Sequence, residues 1–194
     1  MTSQDGIAEV WSAREEPDLE RVMRATIVVG SGRDIEQDAL YGVRQLADVA
    51  IKAISPAVND PSTAWTAIRY IESIIERMAG RALPPRVRRY GTGARPVEVI
   101  ARRASFAEYV EVGFVQIGRH VSRDARVAEA LLDAIAHVAR AAAQADAQER
   151  LPPLLAAAED IAALVQRAAP TARDRTGTGE RAGRVRRLAG AAGE

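Results

Sequence analysis

The chain contains no cysteine, and this absence excludes several kinds of chemistry at once. Disulfide bonds, thiol nucleophiles and cysteine-based metal sites are ruled out, while the redox compartment stays open. Histidine is almost as scarce, since only His120 and His137 occur in 194 residues. They fall on different predicted helices, and a lone imidazole on a helix is typically a surface or hydrogen-bonded group. We therefore expect neither histidine to be a metal ligand.

Long apolar runs are also missing from the sequence. No stretch approaches the roughly 20 apolar residues that a membrane-spanning helix needs. The first residues, MTSQDGIAEVW, are acidic and polar, unlike a signal peptide. We therefore expect this chain, taken alone, to be soluble and cytoplasmic.

Lysine is reduced to Lys52, so nearly all of the positive charge is arginine. The formal net charge is +1, which gives no overall attraction to nucleic acid or to an anionic membrane. Several arginines cluster in the loop predicted at residues 80–95, but Tyr90 is the only aromatic residue among them. Nucleic acid is therefore not an expected partner.

What the sequence does contain is strong helical periodicity. It predicts a mainly α fold, a helical bundle of about five helices that carries one small two-stranded β pair. The clearest predicted helices are 34–54 and 60–79, and the two predicted strands, 25–29 and 96–100, are expected to pair with each other. We interpret residues 1–17 as an N-terminal extension and 18–169 as the helical domain. Residues 170–194 are predicted to be a disordered tail, because almost no apolar residues follow Pro170.

The connection between the two strongest helices reads SPAVNDPSTA, at residues 55–64. Pro56 ends the first helix, while Asp60 and Pro61 suit the N-cap and first position of the second. A connection this short makes the two helices antiparallel neighbours. Asn59 and Thr63 are not needed to end the first helix or to start the second, and they suggest a polar site at the helix junction.

The outward face of the first helix leaves three interpretations open. Arg44 and Asp48, four residues apart, are compatible with a solvated surface whose ion pairs each contribute about 0.3–0.5 kcal/mol. Alternatively, Arg44 binds an anionic or carbonyl-bearing group, which Asp48, Asn59 and Thr63 orient. A third possibility is that Asp38, Asp48 and Asp60 gather around a hard cation such as magnesium. The phosphate-binding loop, the zinc-binding HExxH and the nucleophile elbow are absent from the sequence.

The stretch EQDALYGVRQLADVAIKAISPAVNDPSTA resembles the signature of the bacterial domain-of-unknown-function 2254 family, whose members are described as predicted membrane proteins. The family pattern is close to QD-x-x-[FY]-G-x-RQL-x-D-x-A-x-x-A-x-SP-x-x-NDP-x-TA. The matching residues are Gln37, Asp38, Tyr41, Gly42, Arg44, Gln45, Leu46, Asp48, Ser55, Pro56, Asn59, Asp60, Pro61, Thr63 and Ala64. Fainter similarity extends the match over most of residues 20–165.

The resemblance implies a polar site or network that family members share, which favours the site over the solvated-face interpretation. Family members also carry membrane-spanning helices ahead of this region. This chain departs from that pattern, so we expect either a stand-alone soluble relative or the C-terminal part of a membrane protein. Any membrane attachment would then run through segments absent from this chain. The family has no established activity, so the resemblance indicates a site and no reaction.

Taken together, the sequence predicts a non-enzymatic sensing or interaction domain that binds a small polar ligand or a protein partner where helices 34–54 and 60–79 meet. The predicted binding residues are Arg44, Gln45, Asp48, Asn59 and Thr63, and the predicted supporting residues are Asp38, Tyr41, Ser55 and Asp60. Two alternatives stay open. One is a metal-dependent hydrolase that uses the three aspartates 38, 48 and 60, and the other is a purely structural or homo-oligomerisation module. No cofactor follows from the sequence.

Overall fold

The structure, a computed structural model, describes residues 21, 25, 35–36, 38–83, 85, 87–90, 97–100, 103–121, 124–169 and 171–191. The chain divides into two units, Met1–Arg33 and Asp34–Glu194. The predicted extension 1–17 lies outside the described residues. Of the strand predicted at 25–29, only Ala25 is described, and its backbone is helical.

Helices make up most of the second unit, which confirms the predicted mainly α fold. Helices α1 and α2 are followed by a β-hairpin of β1 and β2. Helix α3 consists of two α-helical segments on either side of a π-helical turn, and a short 3-10 turn precedes α5. The bounds are α1 Ala39–Ala53, α2 Pro61–Ala79, β1 Val87–Tyr90, β2 Val97–Ile100, α3 Phe106–Val110 with Glu111–Val115 and Gln116–Gly118, α4 Ala125–Gln144, the 3-10 turn Gln148–Arg150, α5 Leu151–Ala168 and α6 Ala172–Ala191.

Helix α1 begins at Ala39, five residues later than predicted, because Asp38 is its N-cap. The Asp38 carboxylate accepts a hydrogen bond from the backbone N–H of Tyr41 at 3.1 Å. Ile35 lies in a turn before the helix and is 55% exposed. The N-cap predicted for α2 is confirmed at Asp60, with Pro61 in the first turn.

The small β pair has a different partner from the one predicted. The strand predicted at 96–100 is present as β2, but it pairs antiparallel with β1, in the register Val87↔Ile100 to Tyr90↔Val97. The sequence predicts an irregular loop at 80–95, where β1 lies, and predicts 25–29 as the partner strand. A neighbouring strand closes a much shorter loop and therefore loses less chain entropy on pairing.

The prediction of a disordered tail at 170–194 is wrong for Ala172–Ala191, which form helix α6. Thr178 and Val185 are fully buried on one side of this helix, and Ala182 is nearly so. The helical domain therefore continues past residue 169. Composition suggested disorder because the buried stripe is narrow and its residues are small.

Helix α3 lies at the centre of the core, where Phe114 and Ile117 are fully buried. Two glycines let it approach its neighbours closely. A Cβ atom on Gly113 would lie 2.7 Å from Ile71 Cγ2 and 2.9 Å from Ile75 Cδ1, both on α2. A Cβ on Gly118 would lie 2.5 Å from Ile161 Cγ1 on α5. Since real Cβ contacts are longer, both positions need glycine for the helices to pack as they do.

Arg150, whose side chain is almost fully buried, closes the C-terminal end of α2. Its guanidinium donates hydrogen bonds to the main-chain carbonyl oxygens of Met78, Ala79 and Arg81, the last two at 2.6 Å. The carbonyls of Met78 and Ala79 belong to the last turn of α2, where no further helical turn follows, and a cation complements the negative end of the helix dipole. The guanidinium also lies 5.5 Å from the ring of Phe106. One side chain thus joins the end of α2 to the starts of α3 and α5.

We predict that Gly113→Ala destabilises the protein, because the added methyl group collides with Ile71 and Ile75. Overpacking of this kind costs about 1–3 kcal/mol, although the better helix propensity of alanine offsets up to about 1 kcal/mol. The matched control is Gly183→Ala in α6, where the new Cβ would meet only the end of the Arg187 side chain at 3.6 Å. Urea unfolding should show a loss for the first variant and a gain or no change for the second. A gain for both would contradict the close packing of α3.

Candidate functional site

Three of the predicted binding residues lie along the outward face of α1. Gln45 and Asp48 are exposed, and Arg44 is half-buried. The Arg44–Asp48 ion pair that their spacing allows is not formed, and among the described residues neither side chain has an ion pair or hydrogen bond. The exposed Lys52 continues this face toward the end of the helix, and Val49 beside it is 46% exposed. These side chains are therefore available to a partner.

The junction residues, in contrast, have local structural roles. Asn59 adopts a left-handed backbone conformation with φ of 49°, which asparagine tolerates better than most residues. The Ser55 hydroxyl donates a hydrogen bond to the carbonyl oxygen of Lys52 at 2.7 Å. The Asp60 N–H donates to the carbonyl oxygen of Ala53 at 2.8 Å, which fixes the start of α2 against the end of α1.

Thr63 belongs to the cap of α2, together with Asp60 and Ser62. The Asp60 carboxylate accepts bonds from the hydroxyl groups of Thr63 at 2.6 Å and Ser62 at 2.8 Å, and from both of their backbone N–H groups at 3.1 Å. The hydrogen bond from the Thr63 hydroxyl, followed by that from Ser62, lowers the pKa of Asp60 to about 2. The Asp60 carboxylate therefore caps α2 and is charged at neutral pH.

The structure does not bring all of the predicted residues together. A helix rises about 1.5 Å per residue, so Asp38 lies about 15 Å from Asp48 along α1 and farther still from the junction. Direct ligands of a hard cation lie within about 2.6 Å of it, so these three aspartates, 38, 48 and 60, cannot share one ion. No set of three or more acidic or histidine side chains in the described part of the chain is arranged to hold a metal. The metal site of the hydrolase alternative is therefore wrong.

The two remaining supporting residues, Asp38 and Tyr41, lie at the opposite end of α1 from the junction. There Asp38 also faces the start of α3, where Tyr109 is largely buried. Burial raises the pKa of Tyr109, and the nearby charges of Asp38 and Glu108 raise it further. Asp38 therefore lies near the contact of α1 with α3, and as the N-cap it fixes where α1 begins.

A second polar cluster, which the sequence interpretation missed, links α2 to α4. Glu72 is buried, with its side chain 7% exposed. Its carboxylate lies 2.6 Å from Nδ1 of His137 and accepts a hydrogen bond from Arg69 at 3.0 Å. Both oxygens have partners, so the cluster satisfies a buried charge and holds two helices together. The available signal was the position of Glu72 four residues after Ile68, at the edge of the apolar face.

Of the surface cavities in the described part of the chain, two stand out, and neither is lined by a predicted site residue. One, of about 560 Å³, is open to solvent and lies beside Leu83, Phe106 and Arg150. The other, of about 430 Å³, lies between Glu129 of α4 and Arg181 of α6. The predicted site is therefore an exposed helix face.

The chain belongs to the predicted membrane protein family DUF2254, whose model matches residues 1–137. Similar proteins include the uncharacterized protein Mb1321c of Mycobacterium bovis and the uncharacterized protein Rv1290c of Mycobacterium tuberculosis. Each is 40% identical to this chain over 114 residues, which are 58% of this chain and 21% of the relative. The match thus spans about a fifth of the relatives' length. No solved structure matches the chain significantly. None of the helices described here has both the length and the apolar content to cross a membrane.

The Asp60 cap predicts a defined dependence of stability on pH. Because its folded pKa of about 2 lies below the unfolded value of about 3.9, the cap stabilises the fold fully above about pH 4. That contribution is lost as the pH falls through about 2. We expect Asp60→Asn to lower the free energy of unfolding at pH 7, and the difference from the parent to shrink as the pH falls below 4. Urea unfolding at several pH values measures it, with Asp48→Asn as the matched control. A difference that stays constant down to pH 2 would contradict the charged cap.

Proposed function

We propose that this chain is a non-enzymatic sensing or interaction domain, whose binding surface is the outward face of α1. Arg44 is the main contact and holds a carboxylate or carbonyl group of the bound partner. Gln45 and Asp48 supply further hydrogen bonds beside it. Asn59, Asp60 and Thr63 fix the junction and so set the position of α1.

The observation that carries this proposal is the state of Arg44. Arg44 is half-buried as a residue, yet no described side chain pairs with it. Elsewhere in the described chain, arginines that are similarly or more buried, such as Arg150 and Arg181, have partners. An arginine guanidinium presents a planar fork of donors that suits a carboxylate or carbonyl oxygen. The matched family signature includes this residue, which supports a shared role.

The shape of the surface favours a partner over an enclosed small molecule. Arg44, Gln45, Asp48 and Lys52 extend over two turns of an exposed helix, and neither described cavity includes them. Val49 and Val58, each about half exposed, add apolar area at the same end of the molecule. A second copy of this chain is therefore a candidate occupant, alongside a free ligand with the same carboxylate or carbonyl chemistry.

We also propose a cellular location for this domain. The family is described as predicted membrane proteins, and the matched relatives are about five times longer than the shared segment. We place this domain on the cytoplasmic side, next to the membrane, in proteins of that length. Binding at α1 would then report to, or join, the membrane-embedded part.

A thermal-shift screen tests the ligand form of the proposal, with nucleotides, small carboxylates and other polar metabolites as probes. A probe at 100 times its dissociation constant adds about 2.7 kcal/mol, which raises the melting temperature of a chain this size by about 5–10 °C. Arg44→Ala should abolish the shift and leave the unliganded melting temperature nearly unchanged. Arg77→Ala, on the exposed surface of α2, is the matched control and should keep the shift.

The self-association form is tested by measuring the mass of the same variants over a range of concentrations. A mass that rises with concentration for the parent and Arg77→Ala, but not for Arg44→Ala, would make this face a contact between copies. If no probe shifts the melting temperature and the mass stays monomeric throughout, the proposed binding surface is wrong for this chain.

A further inference from the structure

Helix α6 is held to the domain in a different way from the other helices. Its six arginines and two acidic residues give it a net charge of +4. Its buried stripe contains Thr178, Ala182 and Val185, with Leu188 and Ala189 partly buried beside it, so mostly small side chains pack it on α4 and α5. Four glycines, at 177, 179, 183 and 190, weaken its intrinsic helix propensity. A helix of this composition depends on its neighbours to stay folded.

Those neighbours supply carboxylates that pair with the arginines of α6. Arg181 lies 3.0 Å from Asp133 and 3.2 Å from Glu129, both on α4. Arg184 lies 3.4 Å from Asp133, and Arg186 lies 2.7 Å from Glu159 on α5. Gly177 packs directly against the Glu129 carboxylate. Ion pairs therefore join residues 181–186 of α6 to both α4 and α5.

All of these ion pairs are open to solvent, which makes them sensitive to salt. Exposed fractions run from 26% for Arg181 to 65% for Arg186. Pairs of this kind are weak singly and are screened as ionic strength rises. The contacts of α3 with α2 and α5 are apolar and buried, so salt does not screen them. A rise in ionic strength should therefore weaken the docking of α6 more than the packing of α3.

From these contacts we propose that α6 is a detachable helix: it docks on α4 and α5 through ion pairs and undocks, as ionic strength rises, while the rest of the domain stays folded. Undocking exposes the apolar surface of α4 and α5 that faces Val185. The family match ends at residue 137, so α6 lies beyond the matched region.

The absence of cysteine allows a direct test. Val185→Cys places a single thiol under α6, and Val43→Cys places one in α1 at an equally buried position. The rate of thiol labelling reports how often each site opens. Between about 0.01 M and about 1 M sodium chloride, we expect labelling at position 185 to accelerate about tenfold relative to position 43. Equal labelling of the two sites at every salt concentration would overturn the proposal.

Two further variants, made in the Val185→Cys background, test the role of the ion pairs. Asp133→Asn removes the partner of Arg184 and one of the two partners of Arg181, and it should speed labelling about fivefold at low salt and reduce the salt response. Asp160→Asn, an exposed aspartate on α5 without an ion pair among the described residues, should change neither. Fast labelling without any salt dependence would mean that ion pairs do not hold α6, and it would also overturn the proposal. Amide hydrogen exchange in the unsubstituted chain tests the same point without a cysteine. The salt dependence of exchange in residues 172–191 is compared with that in residues 61–79.

Discussion

The close approach of α3 to its neighbours is the constraint on which the rest of the domain depends. Gly113 admits the side chains of α2, and Gly118 admits Ile161 of α5. With α3 held at this distance, α1 and α2 can have only one face turned inward. The opposite face of α1, with Arg44, Gln45 and Asp48, is exposed as a consequence. The binding surface that we propose is therefore positioned by apolar packing on the other side of the same helix.

Local signals in the sequence predicted much of the fold. The N-cap Asp60 marks the start of α2, and helical periodicity predicted both α1 and α2. Interactions between distant residues could not be read in the same way. Arg150 and Glu72 find their partners more than 60 residues away, the partner of β2 depends on loop closure, and α6 is stabilised by α4 and α5. Arg150 at the start of α5 is unfavourable for that helix, because its charge opposes the helix dipole. This is the one local hint that its guanidinium binds the end of a different helix.

The candidate site could be predicted only in part, for a related reason. The family signature that this chain resembles does not separate residues that bind from those that shape the chain. At the junction, the structure identifies the residues that shape the chain. Asn59 supplies a left-handed backbone, and Thr63 and Asp60 build a cap. Arg44, Gln45 and Asp48 have no such role among the described residues, and they are the ones left for recognition.

The central claim is that this outward face is not needed for folding, and the unfolding free energy of one triple variant tests it most directly. Arg44→Ala, Gln45→Ala and Asp48→Ala together remove all three side chains while keeping good helix formers. Since none has a partner in the described chain, urea unfolding should give a stability within about 1 kcal/mol of the parent, or slightly higher. A loss of more than about 3 kcal/mol would show that these residues belong to a structural network, and it would contradict the account.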